Sequence, residues 1–355
     1  MNIIYIVGAR PQFIKLAPLY RTFPRYFPAG QQRILHTGQH YDRDMNEEFF
    51  REFGLPRPDR QLELRDLDRD TFIGRGTEVI GTYLKEVQPD LVLVFGDTNS
   101  TLAGALAAHL GGFRLAHIEA GLRSYLPIPE EMNRVLTDRL SNDLFLPSEQ
   151  AIDNLTRENI GSSTHQIVSA GDIMFDASLQ TKILSRTACS FLPGGPFVLC
   201  TIHRAANTDD AERLATIVDG LQDIARELPV VLPLHPRTAH ALKRFGIALK
   251  GVQVCAPLSY RQMQSALAYC HSVVTDSGGV QKEAFFRKKA CLVVRPATEW
   301  PEIVQLGAAR LTEPSAIYRS WNRLLRQTPD FGASPYGQGD TADRIWQFYT
   351  DGSPI

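Results

Sequence analysis

The alternation of short apolar runs with longer amphipathic stretches is the feature that most constrains the fold. The runs contain almost no polar residues, which is typical of strands buried on both faces of a parallel sheet. A first series of strands is predicted at 3–7, 33–36, 91–95, 115–118, 144–146 and 166–169, and a second at 197–201, 230–233, 252–255, 272–275 and 291–294. Helical patterns fill the gaps, for example at 100–110, 130–140, 148–157, 210–226 and 279–286. Two successive βαβα series predict an α/β protein with two Rossmann-type doubly wound domains.

A chain of 355 residues has room for about two domains of ordinary size. The segment 191–196, FLPGGP, is rich in residues that break helices and strands, and it directly precedes the second series. We therefore predict the linker there.

Composition and charge limit the kinds of molecule that this protein can bind. A formal net charge of −1 argues against a nucleic-acid partner. No apolar stretch approaches the ~20 residues of a membrane span, and the N-terminal run has no features of a signal peptide. Five cysteines without a CxxC pair are interpreted as reduced core residues. We expect a cytoplasmic protein that does not contact membranes.

Carboxylates are concentrated in the segment 117–138, HIEAGLRSYLPIPEEMNRVLTD, which also carries arginines. Clustered carboxylates raise one another's pKa, and nearby arginines hold anions, so this set suits proton transfer on a negatively charged substrate. With the acid that follows the run 91–95, the members are Asp97, Glu119, Arg123, Glu130, Glu131 and Arg134.

Polar or glycine-rich turns follow six of the predicted strands. In open parallel α/β sheets, ligands bind at the carboxyl ends of the strands, so we expect one cleft between two facing domains. These turns lie at 8–11, 96–97, 117–119, 203–204, 235–236 and 276–279.

The turn 275–279, TDSGG, opens a predicted helix. Free amides at a helix N-terminus bind phosphate, and glycines let a ligand approach the backbone at Gly278 and Gly279. The alternative is an ordinary strand-to-helix turn with Ser277 as the N-cap. Glu283, six residues after Ser277, could reach a ribose hydroxyl and favours the phosphate interpretation.

Arg10 and Lys15 lie near the start of the first predicted helix, where the helix dipole favours anions. They either bind a ligand's negative charge or are solvated surface residues. His203 and His235 each follow an apolar run, and they are either structural histidines or part of a nucleotide site. No HxH or HExxH spacing occurs, so no metal is expected.

The segment 337–342, GQGDTA, matches the GxGxxG/A dinucleotide pattern, but no strand precedes it. We therefore expect no nicotinamide or other cofactor. No GxSxG motif indicates a serine nucleophile.

Several segments, in chain order, resemble the non-hydrolysing UDP-N-acetylglucosamine 2-epimerase family. The specific combination is GDT at 96–98, HIEAGLR at 117–123, PEE and NR within 129–134, and TDSGG, Q and EA within 275–284. Further matching segments are GARPQFIKLAPL, TGQHYDRDM, SAGDIMFDA, TIHRAANTDD, LPLHPRT, TEWPE and PYGQGD.

The resemblance implies a GT-B-like fold with domains at 1–190 and 191–338 and a last helix, 339–355, that packs on the first domain. It also implies a homodimer. By motif, the catalytic residues would be Asp97, Glu119 and Glu130, with His203 assisting. The residues implied to bind the UDP-sugar are Arg10, Lys15, Arg134, His235, Ser277, Gly278, Gly279 and Glu283.

Two departures bear on the substrate. Members acting on UDP-N-acetylglucosamine often read ERPE where this chain has EWPE at 299–302, and often have glutamate where Ala206 stands. The TEW variant resembles the branch that acts on UDP-2,3-diacetamido-2,3-dideoxyglucuronate. Some members are regulated by a second nucleotide sugar, but Asp42 and Ala206 differ from the usual residues, so we do not predict that regulation.

The implied reaction inverts carbon 2 of a UDP-N-acetylated sugar. Because no carbonyl neighbours that carbon, the route without nicotinamide is elimination of UDP to a glycal, followed by re-addition. This needs acid/base groups on both faces of the sugar and a clamp on the leaving group. The competing functions are a GT-B glycosyltransferase, a hydrolysing 2-epimerase and a non-catalytic nucleotide-sugar sensor.

Overall fold

The computed structural model describes residues 1–39, 50–161 and 165–352, and these residues form two compact units. Unit 1 comprises Met1–Gln180 and the segment from Pro335 onward, and unit 2 comprises Thr181–Ser334. The predicted site segment TGQHYDRDM lies partly outside the described residues, and Asp42 lies wholly outside them.

Unit 1 is built on a parallel sheet. Its strands are β1 (Asn2–Val7), β2 (Gln31–His36), β3 (Arg60–Gln61), β4 (Leu91–Phe95), β5 (Leu115–Ile118), β6 (Asp143–Leu146) and β7 (Gln166–Ser169). Its described helices are α1 (Arg10–Tyr26), α2 (Arg69–Val87), α3 (Asn99–Gly111), α4 (Pro129–Leu140), α5 (Glu149–Arg157), α6 (Ile173–Gln180) and, at the end of the chain, α14 (Thr341–Thr350).

Unit 2 has the same plan. Its strands are β8 (Val198–Thr201), β9 (Val230–Pro233), β10 (Val252–Cys255), β11 (Ser272–Thr275), β12 (Ala290–Val293) and β13 (Ala309–Leu311). Its helices are α7 (Ala205–Thr208), α8 (Ala211–Ala225), α9 (Pro236–Phe245), α10 (Tyr260–Tyr269), α11 (Gly278–Phe286), α12 (Pro301–Gln305) and α13 (Ile317–Leu325), with 3-10 turns at Arg186–Ala188 and Pro314–Ala316.

The strand orders are β3-β2-β1-β4-β5-β6-β7 in unit 1 and β10-β9-β8-β11-β12-β13 in unit 2. Every strand pair in both sheets is parallel. The predicted α/β class with two Rossmann-type sheets is therefore confirmed. The order reverses between β1 and β4 in one sheet and between β8 and β11 in the other. At such a switch point the flanking loops diverge and leave a crevice at the carboxyl ends of the strands.

The central strands could be predicted from the sequence because they are buried. All five residues of β4 are fully buried, as expected of a strand covered by helices on both faces. Helix α3 approaches this sheet closely, because a Cβ at Gly104 would lie 2.9 Å from Ile6 Cδ1.

Two edge strands were not predicted. β3 has two residues and β13 has three, and each pairs with one neighbour only. Short strands at a sheet edge are only partly buried and carry no apolar run, so hydrophobic periodicity gives no signal for them.

The unit boundary lies at residues 180 and 181, ten residues before the predicted boundary at 190 and 191. Hydrogen bonds tie the intervening segment to unit 2. The Leu184 amide donates to Ser265 Oγ at 2.9 Å, and Tyr269 Oη donates to the Leu184 carbonyl at 2.9 Å. The second boundary, between residues 334 and 335, precedes the predicted one at 338 and 339 by four residues.

The last helix, α14, packs against α1 in unit 1. Trp346 is fully buried, and its Nε1 donates to the Leu19 carbonyl at 3.1 Å and to Thr22 Oγ1 at 3.0 Å. The start of α14 is capped by a residue that is far away in the sequence. The Asp176 carboxylate accepts from the amides of Thr341 and Ala342 at 3.1 and 2.9 Å.

This capping carboxylate should make stability depend on pH. Burial raises the pKa of Asp176 to about 6, even though amides donate to it. Protonation therefore favours the folded state, and this contribution is lost as the pH rises through the folded pKa. The free energy of unfolding of the wild type, relative to Asp176→Asn, should fall by roughly 2–3 kcal/mol between about pH 4 and about pH 7. Urea unfolding followed by tryptophan fluorescence measures it, and a pH-independent difference would contradict it.

Candidate active site

The switch point of unit 1 is held by Gln12, a buried residue of α1. Its Oε1 accepts from the Gly8 amide at 2.7 Å and the Ala9 amide at 3.1 Å. Its Nε2 donates to the Phe95 carbonyl and to Thr98 Oγ1, each at 3.0 Å. One side chain thus joins the turn after β1 to the turn after β4.

Lys15 and Glu119 form an ion pair beside this switch point. Both side chains are about nine-tenths buried, so Lys15 is not a solvated surface residue. Gly96 lies against the pair, because a Cβ there would be 3.2 Å from Lys15 Nζ and 3.3 Å from Glu119 Oε2. The backbone at Gly96 also has a φ of 62°, which favours glycine.

Glu119 itself has left-handed backbone, with a φ of 68°. This conformation costs a residue with a Cβ about 1–2 kcal/mol, and such strain persists where the surrounding structure imposes it. Strained residues cluster at functional sites, so the backbone supports a functional role for this carboxylate.

Arg134, on α4, binds two more acids. It forms an ion pair with Asp97, and its Nη1 lies 3.2 Å from Glu131 Oε2. Burial opposes the charge of this guanidinium, but Asp97, Glu131 and Glu119 together raise its pKa. Asp97 and Glu119 therefore lie close enough to one arginine to act in one site.

Glu131 stabilises the loop that precedes α4. Its carboxylate accepts from the amides of Ser124 and Tyr125 at 3.0 and 2.9 Å, and from Ser124 Oγ at 2.7 Å. Burial tends to raise the pKa of Glu131, but these hydrogen bonds and Arg134 lower it. Glu130, by contrast, is exposed at the first turn of α4, one turn before Arg134.

Asn133 also positions Asp97. Its Nδ2 donates to the Asp97 carbonyl at 2.9 Å and to Asn99 Oδ1 at 3.1 Å, and its Oδ1 accepts from Arg69 Nη2 at 3.1 Å. Arg10, the first residue of α1, is half-buried.

In unit 2, the switch point is organised by Asp276, which follows β11 and is fully buried. Its carboxylate accepts from the amides of His203 and Arg204 at 3.0 and 2.9 Å, and from Asn207 Nδ2 at 3.0 Å. His203 Nδ1 lies 3.3 Å from the same group. The turn after β8 is therefore tied to the turn after β11.

Helix α11 begins at Gly278, and Ser277 is its N-cap residue but makes no side-chain capping hydrogen bond. Ser277 therefore takes the N-cap position of the alternative interpretation, but its side chain leaves the first amides of the helix without a capping partner among the described residues. The first amides of a helix have no partner within the helix and attract anions. A Cβ at Gly278 would lie 3.7 Å from both Arg204 Nη2 and Glu299 Oε2, so an ion pair lies beside this turn. Glu283 is buried one turn further along α11.

The turn is held from the other side by the segment at 298–300. Trp300 Nε1 donates to the Gly278 carbonyl at 3.1 Å, and Lys282 Nζ lies 3.8 Å from the centre of the Trp300 ring. Thr298 Oγ1 donates to Gln281 Oε1 at 2.6 Å. Lys282 and Trp300 thereby fix the backbone at the start of α11.

The rings of His203 and His235 lie 5.2 Å apart, so the two histidines that follow separate strands are neighbours in unit 2. His235 Nδ1 also accepts from the Arg237 amide at 3.2 Å and caps α9. Burial lowers the pKa of His235, and the charges of His203 and Arg237 lower it further. His235 is therefore a structural residue that caps α9, and its lowered pKa favours the neutral ring.

Among the described residues, no helix is long and apolar enough to cross a membrane. All five cysteines are free thiols, four of them buried.

Comparison with known proteins identifies the family. Residues 28–350 match the profile of the family described as UDP-N-acetylglucosamine 2-epimerase. The chain is 43% identical over 352 residues to UDP-2,3-diacetamido-2,3-dideoxy-D-glucuronate 2-epimerase of Pseudomonas aeruginosa, covering 98% of this chain and 99% of that protein. It is 35% identical over 369 residues to UDP-N-acetylglucosamine 2-epimerase of Methanocaldococcus jannaschii, covering 99% and 100%. A crystal structure of the M. jannaschii enzyme with UDP-GlcNAc and UDP aligns with a TM-score of 0.88 over 99% of this chain and 100% of that one.

The chain belongs to the UDP-N-acetylglucosamine 2-epimerase family. The predicted family and its GT-B-like fold are thereby confirmed. Its relatives are named epimerases, so this member is an isomerase, and the transferase and sensor alternatives are set aside.

For this family member, sequence reasoning selected charged and glycine residues at the two switch points and missed most of the residues that hydrogen-bond to them. Asp97, Glu119 and Arg134 lie together, whereas Glu130 lies exposed one turn away. The missed residues Gln12, Asn133 and Asn207 all lie within or beside the quoted motifs, which was the available signal.

Asp276 should be critical for the stability of unit 2. Replacing it by alanine leaves the amides of His203 and Arg204 and the side chain of Asn207 without this acceptor. Because each buried unsatisfied donor costs about 1–3 kcal/mol, we expect Asp276→Ala to lower the free energy of unfolding by at least about 2 kcal/mol. The matched control is Asp209→Ala, whose exposed carboxylate pairs with Arg237 and should matter by less than about 0.5 kcal/mol. Equal losses in urea unfolding would refute the assignment.

Proposed function

We propose that this epimerase inverts carbon 2 of a UDP-N-acetylated sugar by eliminating UDP and adding it back. A base removes the carbon 2 proton while the bond between carbon 1 and the diphosphate oxygen breaks. The electrons of the broken carbon–hydrogen bond form the double bond of a glycal, and those of the broken carbon–oxygen bond leave with UDP. The diphosphate then re-forms the bond to carbon 1, and an acid delivers a proton to the opposite face of carbon 2.

The observation that carries this proposal is the paired charge cluster of unit 1. In the proposal, Asp97, Glu119 and Glu130 are the acid/base groups, because the reaction needs a proton acceptor and a donor on opposite faces. Asp97 pairs with Arg134 and Glu119 pairs with Lys15. A diphosphate that recruits Lys15 or Arg134 would release a carboxylate for proton transfer.

In the proposal, unit 2 binds the nucleotide part of the substrate. The start of α11 offers the amides of Gly278 and Gly279, whereas the Ser277 amide donates to Thr275 Oγ1 at 2.9 Å. Such amides stabilise a diphosphate as negative charge develops on it, and Ser277 is proposed to contact the diphosphate beside them. Glu283 is proposed to accept from the ribose hydroxyls. His203 is proposed to assist the acids, and His235 and Arg10 to contact the diphosphate.

We propose UDP-2,3-diacetamido-2,3-dideoxy-D-glucuronate as the preferred substrate, with UDP-N-acetylglucosamine as the alternative. The higher identity to the relative named for the diacetamido sugar supports this choice, as does the TEW segment that carries Trp300. The five free thiols suit a reducing compartment, which supports a cytoplasmic location.

The test is to incubate each of the two UDP-sugars with enzyme in deuterated water and to follow the products by NMR. We expect interconversion of two carbon 2 epimers, faster for the diacetamido sugar, with deuterium incorporated at carbon 2. Product without deuterium would refute proton exchange. Net release of free sugar and UDP would favour the hydrolysing epimerase, and no change without an acceptor would favour a glycosyltransferase.

The variant Glu119→Gln sharpens this test. It keeps the shape of the side chain but cannot accept the proton, so turnover should fall by at least about 100-fold. UDP binding, measured by calorimetry, should be retained, because unit 2 is intact and the variant keeps the positive charge of Lys15. Retained epimerisation in this variant would remove Glu119 from the mechanism.

We further propose that the protein is a homodimer. Ile128, Met132 and Leu136 are spaced by four residues and present one exposed apolar face on α4, next to the exposed Tyr125 and Leu126. A second copy of the chain would cover this face, since apolar patches of this kind mark interfaces.

The double variant Met132→Glu with Leu136→Glu should convert the dimer to a monomer, because it buries charges in the proposed interface. Sedimentation analysis measures the mass. Val254→Glu, which changes an exposed apolar residue in unit 2, is the matched control and should remain dimeric. A dimer that persists in the double variant would rule out this face.

A further inference from the structure

We propose that His117 and Asp138 form a positioning pair in which His117 carries both ring protons, and that this pair holds the backbone supporting Asp97 and Glu119. The inference rests on the proposed function in one respect, namely that these two acids transfer protons. The protonation of His117 can be tested without it.

The hydrogen bonds of His117 define its protons. The ring lies fully buried on β5. Its Nε2 is 2.7 Å from the carbonyl oxygen of Gly96, and its Nδ1 is 2.7 Å from Asp138 Oδ1. A carbonyl oxygen can only accept, so Nε2 must donate. The state of the ring then depends on whether Asp138 donates or accepts.

Asp138 is an acceptor. Its Oδ2 accepts from Arg123 Nη1 at 2.7 Å and from the Gly121 amide at 3.2 Å. Burial alone would raise the pKa of this carboxyl, but His117 and Arg123 bring it below its ordinary value. An ionised carboxylate has no proton to give, so Nδ1 of His117 must donate as well. The ring is then an imidazolium.

The charged neighbours of the pair do not replace His117 as a partner of Asp138. Arg123 also binds Glu158 through two hydrogen bonds, at 2.6 and 2.8 Å. Glu158 is partly exposed and also lies 4.0 Å from Arg139 Nη2, so its charge is met without His117, and the state of the ring rests on its own two hydrogen bonds. The other charged groups near the Gly96 side of the ring form ion pairs of their own: Lys15 with Glu119, and Arg134 with Asp97.

The pair connects the two acids through their backbones. Gly96, whose carbonyl accepts from His117, directly precedes Asp97. Gly121, whose amide donates to Asp138, follows the left-handed Glu119 by two residues. Removing the charge or either hydrogen bond should therefore loosen both acids at once. This differs from the role of Asn133, which touches only the Asp97 side.

The first measurement is NMR of enzyme labelled with ¹⁵N-histidine, with His117→Gln used to assign the signal. We expect both ring nitrogens of His117 to be protonated at neutral pH, and only one in Asp138→Asn. A wild-type ring with a single proton would overturn the inference.

The second measurement is kinetic. We expect Asp138→Asn to lower kcat by about 10- to 100-fold with little change in KM, and to shift the pH profile of kcat, since supporting groups of this kind commonly have effects of that size. Asp143→Asn is the matched control: Asp143 is also buried and binds Arg114 through two hydrogen bonds of 2.8 Å, but it supports neither acid. Its variant should lose stability and keep kcat.

The outcomes separate the two proposals. A wild-type enzyme that exchanges no proton at carbon 2 refutes the proposed function before any variant is compared. An active wild type whose Asp138→Asn variant keeps its kcat and pH profile overturns the positioning role alone. Equal losses of kcat in Asp138→Asn and Asp143→Asn would also overturn it, because they would reflect lost stability only.

Discussion

Asp138 in unit 1 and Asp276 in unit 2 are fully buried carboxylates that accept hydrogen bonds from the backbone of strand-end turns. A parallel sheet brings its strand ends to one edge, but the loops there have no ladder partners and need other acceptors. A carboxylate supplies several strong acceptors at once, and ionic hydrogen bonds are stronger than neutral ones. The geometry of each candidate site therefore depends on one buried charge.

The same arrangement explains the surrounding cations. In unit 1 the buried or half-buried acids are matched by Lys15, Arg123 and Arg134, so the cluster holds many charges without a large net charge. In the proposed reaction, the negative charge of a nucleotide sugar competes for these cations, and a carboxylate that gives up its cation becomes available for proton transfer.

Much of the fold followed from sequence because its signals were local. The central strands are continuous apolar runs, and the predicted bounds at 91–95, 115–118 and 166–169 match β4, β5 and β7. The edge strands β3 and β13 carried no such signal. The linker was placed at 191–196 from its composition, whereas Leu184 is joined to unit 2 by contacts with Ser265 and Tyr269 that composition does not encode.

The sequence by itself determined the parallel α/β class, the family and the strand ends where chemistry would lie, because these depend on apolar periodicity and on short motifs. Only the tertiary structure decided which charges pair. Lys15 meets Glu119 across 104 residues, Arg134 meets Asp97 across 37, and His117 meets Asp138 across 21. Such pairings follow from strand order, register and helix packing, which bring distant residues within hydrogen-bonding distance and which no local pattern specifies.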